Sequence, residues 1–134
     1  MVHWSDVYVG KPYIPESVDC AALAQKVARD ILKIDPQLPS DHAVNYRAQS
    51  RQILAHKDEY AVKIDSPEDA QPVLLIARGR LCHIGVMCRI AGEWWILHAD
   101  QSAGYVIRQR EREITRLHYK IEGYYRWINS FNPR

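Results

Sequence analysis

Leu81-Cys82-His83-Ile84-Gly85-Val86-Met87-Cys88 has the texture of a strand, and the rest of the chain can be read outward from it. Side chains alternate faces along a strand, so Cys82, Ile84, Val86 and Cys88 share one side and His83, Gly85 and Met87 the other. The first set is apolar and reads as core. The second puts a histidine beside a residue with no side chain, which leaves room for a substrate or a helix to come close. Downstream, Ala91-Gly92-Glu93 marks a turn into Trp94–His98, a second strand that ends in a second histidine. In an antiparallel hairpin His98 comes near His83. Upstream, Val73–Ala77 is the longest apolar run. It has strand length and falls far short of the ~20 residues a membrane span needs. Beyond His98 lie a loop through Gly104, then Tyr105–Gln109 and Gly123–Ile128.

The amino-terminal half has a different period. From Asp19 to Ile34 the apolar positions Cys20, Leu23, Ala24, Val27, Ala28, Ile31 and Ile34 step by three or four, which predicts a helix. Ser17 or Asp19 can cap its start, and Asp35-Pro36 stops it. A second helix is expected between Ser40 and His56, and Asp65-Ser66-Pro67-Glu68-Asp69 reads as a turn. Helices first and an antiparallel meander second make an α+β domain.

At 134 residues the chain fits one domain, positions 1–134, and 47% hydrophobic with 25% charged residues excludes disorder. The net charge of +2 gives no ground for a nucleic-acid or membrane partner. Arg108-Gln109-Arg110-Glu111-Arg112-Glu113 interleaves both signs and reads as a solvated face. Trp94, Trp95, Tyr124, Tyr125 and Trp127 fall in strands and read mainly as core. The first residues show neither a basic region nor an apolar one, so no signal peptide is expected. Three cysteines are an odd number, which points to at least one free thiol and synthesis in a reducing cytosol.

Cys20 opens the best helix in the chain. The partial positive charge and unpaired N–H groups of a helix start favour thiolate, the attacking form, although Cys20 also lies on the apolar stripe, and by placement alone it reads first as core. A thiolate there, His83 as base and His98 orienting it make a nucleophile–base–orienter set, as in cysteine hydrolases. A zinc site is the competing reading of the same residues. It lacks a C-x-x-C pair, and strand parity puts Cys82 and His83 on opposite faces. His3, His42, His56 and His118 read as surface residues.

The order Tyr8-Val9-Gly10-Lys11-Pro12-Tyr13, Asp19-Cys20-Ala21-Ala22-Leu23, His83-Ile84-Gly85-Val86 and Leu97-His98-Ala99 resembles the NlpC-type cell-wall peptidases, a compact branch of the papain-like cysteine peptidases. The likeness runs from about Tyr8 to Ile128. It implies a papain-like domain that hydrolyses an amide of peptidoglycan stem peptides, typically γ-D-glutamyl to diamino acid. Cys20 would be the nucleophile, His83 the general base and His98 the orienting residue, with no metal or organic cofactor. Tyr13 matches the tyrosine facing the substrate cleft and Asp19 the acid before the cysteine; their plainer roles are core packing and helix capping. Departures are Ile14–Val18 where a Gly-Gly pair is usual, Ala21-Ala22 in place of Ser-Gly, and Ala70-Gln71-Pro72 in place of Gly-Asp. Asp-Cys-x-x-Leu with Leu38-Pro39 following resembles the subgroup encoded with phage and prophage tails. That implies partners among tail proteins, and delivery of a protein made in the bacterial cytoplasm to the cell wall.

Overall fold

The computed structural model describes residues 2–13, 20–36, 61–77, 80–100 and 102–128, with backbone alone at 77, 80–82 and 117. In chain order these form a 3-10 turn (Trp4–Val7), helix α1 (Cys20–Val27) continued by a wide π-type turn (Ala28–Leu32), and strands β1 (Ala61–Ile64), β2 (Pro72–Ala77), β3 (Arg80–Ile90), β4 (Glu93–Asp100) and β5 (Tyr105–Arg110). A 3-10 segment (Glu111–Leu117) then leads into β6 (Tyr119–Trp127). The strands build one antiparallel sheet in the order β1-β6-β2-β3-β4-β5. No helix among the described residues is long and apolar enough to cross a membrane.

The expected meander holds from β2 to β5 and breaks at β6, which returns across the sheet to lie between β1 and β2. Ile114, in the connecting 3-10 segment, packs with Val73, Leu75, Met87, Ile96 and Tyr119, so the connection crosses one face of the sheet on its way back. His118, in the left-handed region at φ 65°, makes the turn into β6. Strand β1 carries only four residues and no alternating pattern, and it was not expected from the sequence.

The helical stripe packs as its spacing predicts. Leu23, Ala24, Val27 and Ala28 are buried against Ile84, Val86, Cys88, Leu97, Ala99 and Val106, which cover the other face of the sheet. Ending this segment are Lys33, at φ 59°, and Pro36 three residues on, which has no N–H to continue it. The expected caps Ser17 and Asp19 and the expected helix from Ser40 to His56 lie outside the described residues. The turn at Asp65–Asp69 is present. It is held by Trp4 Nε1, which donates to Asp69 (3.0 Å), by the Arg89 N–H to Asp69 (2.8 Å), and by Arg126 on Glu68.

Candidate functional site

Parity places the two imidazoles. His83 neighbours Ile84, so it leaves the sheet on the face opposite α1. His98 neighbours Leu97 and does the same. In the Val86↔Leu97 register, His98 stands one residue past Leu97 and His83 three before Val86. They are diagonal neighbours on one face, within reach of aromatic side chains. Nε2 of His83 lies 2.9 Å from Nδ1 of His98, with the rings at 83° to one another. The other nitrogen of His98, Nε2, lies 3.1 Å from the side-chain oxygen of Gln109. Gln109 is on β5, paired with Ile96, two residues along the same face from His98.

The ring of Tyr119, at the start of β6, stacks on His83 at 5.0 Å and 12° and meets His98 edge-on at 5.5 Å. The site thus takes one residue from each of β3, β5 and β6 around His98 of β4. Both imidazoles are buried, His83 3% and His98 0% exposed. Burial holds the His83 imidazolium well below its ordinary 6.5, helped by any charge on His98. Burial also lowers His98, against the smaller opposing effects of Gln109 and Asp100. Both rings are therefore neutral at neutral pH. One is the donor and the other the acceptor of the bond between them. Among the described residues no hydrogen bond reaches Nδ1 of His83, which leaves that nitrogen as the pair's outlet.

Cys20 is the first residue of α1 and is 3% exposed. The Tyr13 N–H donates to Gly104 O (2.8 Å), in the β4–β5 turn beside Asp100 and hence at the His83 end of β3. At the far end of the helical segment Asp30 accepts from Tyr8 Oη (2.7 Å). Tyr8 follows the turn whose Ser5 and Asp6 hold Arg108 and whose Trp4 reaches Asp69 and, through it, Arg89. α1 packs over β3 and β4, so the helix that Cys20 opens lies on one face of the sheet and the rings on the other.

Of the residues singled out in the sequence, His83 and His98 are brought into direct contact. Tyr13 is partly buried against the helix-side core, and Asp19 lies outside the described residues. The room expected over Gly85 is not there. A Cβ at that position would stand 2.7 Å from Ile96 Cγ2 and 3.1 Å from Val73 Cγ1, so the glycine admits neighbouring strands rather than a ligand. His3 is more than a surface residue: its Nδ1 accepts from the Ser5 N–H (3.1 Å) and caps the first turn. His118 is exposed, as expected.

Gln109 and Tyr119 were missed. Gln109 had a readable signal, a lone amide on the strand after His98 and on its face. Tyr119 had none, because β6 does not follow β5 in the sheet. Cys88 is no rival nucleophile. It is fully buried, its thiol donates to Val86 O (3.7 Å), and burial pushes its pKa up to about 12. No group of three or more His, Cys, Asp or Glu placed to hold a metal occurs among the described residues. No protein-family model, curated protein or solved structure matches the chain.

Proposed function

We propose that the protein is a papain-like cysteine hydrolase that cleaves an amide bond of peptidoglycan stem peptides, with Cys20 as nucleophile, His83 as base and His98 orienting it. The observation that carries this reading is the buried His83–His98 pair, in which one nitrogen of His83 is engaged and Nδ1 is left over. An imidazole held in place by a second group is the base half of a nucleophile–base pair. The substrate class rests on the motif order described above.

In the proposed reaction the Cys20 sulfur attacks the amide carbonyl as His83 Nδ1 takes the thiol proton. Because burial keeps the ring neutral, the proton moves during attack rather than resting beforehand as an imidazolium–thiolate pair. The backbone N–H of Cys20 is a donor for the oxyanion. The C–N bond breaks, His83 passes its proton to the leaving amine, and a thioester remains. Water then attacks the thioester, giving a proton to His83, and the acid product leaves as the thiol is restored.

One observation favours a second reading, a catalytically silent tail-tip component with the same fold. The helix and the imidazoles lie on opposite faces, and the thiol is buried. Digestion of purified sacculi, with mass analysis of the products, separates the two. Wild type should release stem-peptide fragments carrying new amino termini, and Cys20→Ala, still folded, should lower the rate by at least a thousandfold. Full activity in the alanine variant contradicts the mechanism, and an inert wild type favours the silent component.

A further inference from the structure

Resting on the hydrolase reading, we propose that Gln109 is a positioning residue: its side-chain oxygen sets the tautomer of both buried imidazoles and thereby leaves Nδ1 of His83 as the proton acceptor. A carboxamide oxygen can only accept. The His98 Nε2 that lies 3.1 Å from it must therefore carry the hydrogen. A neutral imidazole has one N–H, so Nδ1 of His98 is a lone pair. The His83 Nε2 that faces it at 2.9 Å must then be the donor, and Nδ1 of His83 is left bare. The chain of donors runs one way, from His83 through His98 to Gln109, and its direction is fixed at the Gln109 end.

Tyr119, stacked on His83 and edge-on to His98, holds the ring planes in which this relay is possible. Without an acceptor at position 109 the relay loses its anchor. His98 can then carry its proton on Nδ1 and donate toward His83, which places the His83 proton on Nδ1. That tautomer cannot take a proton from a thiol.

Nitrogen-15 spectra of the histidine rings in the full chain read the tautomers without any substrate. In the wild type both rings should carry their hydrogen on Nε2. Gln109→Met, which matches the length and removes the acceptor, should raise the Nδ1–H form of His83 roughly tenfold or more. On sacculi it should lower kcat by a similar factor while KM stays put. Gln109→Glu keeps an acceptor, so it should keep the wild-type tautomers at alkaline pH and move the acid limb of activity upward as the carboxylate helps His98 hold a second proton. A wild-type spectrum with His83 protonated on Nδ1, or a Gln109→Met spectrum like that of the wild type, overturns the proposal. If the wild type cleaves no sacculi, the spectra still decide the tautomer and the hydrolase reading is what fails.

Discussion

A methyl group added at Gly85 would stand 2.7 Å from Ile96, closer than packed side chains come, and a tight 3.1 Å from Val73, and both belong to the layer beneath the imidazoles. Gly85→Ala should therefore destabilise the protein by about 1–3 kcal/mol, read as a lowered urea midpoint with an unchanged slope. A variant as stable as wild type would mean that the strands around Gly85 sit further apart than described. The same close approach explains why a histidine next to a glycine misled the sequence reading: a residue without a side chain signals crowding as readily as vacancy. Cys20 and Cys88 illustrate a second residue-level contrast. Both are buried thiols, but Cys20 stands at the first residue of a helix, while Cys88 is surrounded by core and held protonated.

Elements with a clean period were legible in the sequence. Val73–Ala77, Leu81–Cys88, Trp94–His98 and Tyr105–Gln109 all appear as strands within one or two residues of their expected ends, because short apolar runs between turn residues leave little choice. The helix from Cys20 was legible for the same reason, and its change to a wide turn at Ala28 was not, since both helix types bury the same stripe. Illegible was what partners distant in sequence specify. Strand β1 is ordered by pairing Ala61 with Trp127; Gly123–Ile128 was expected as a strand, but the start of β6 at Tyr119 and its insertion between β1 and β2 are choices no local pattern records. Half of the site was legible on the same terms. Parity and one tight turn join His83 to His98, whereas the stacking of Tyr119 depends on the return of β6.

Across the whole molecule the buried pair ties stability to pH. Both histidines have folded-state affinities for protons below the ordinary value of 6.5, because burial disfavours their charge. The unfolded chain takes up these protons first as pH falls. Their contribution is thus complete above pH 6.5 and is lost below it, at up to about 1.4 kcal/mol per pH unit for each ring. Urea midpoints taken from about pH 7.5 down to about pH 5 should fall with that sign, and His83→Gln should reduce the slope. A midpoint that rises on acidification would show that the rings are charged in the folded protein. The functional account makes a demand at this scale as well, since the start of α1 and the start of β3 must bring a thiol and an imidazole within reach of each other. The rate of Cys20 alkylation by iodoacetamide, followed by peptide mass analysis across pH in wild type and His83→Gln, tests that demand directly. The account predicts that native Cys20 reacts at neutral pH well ahead of Cys88, and that the His83→Gln change slows it roughly tenfold or more. Cys20 labelling no faster than Cys88, or at the same rate with and without His83, would contradict it.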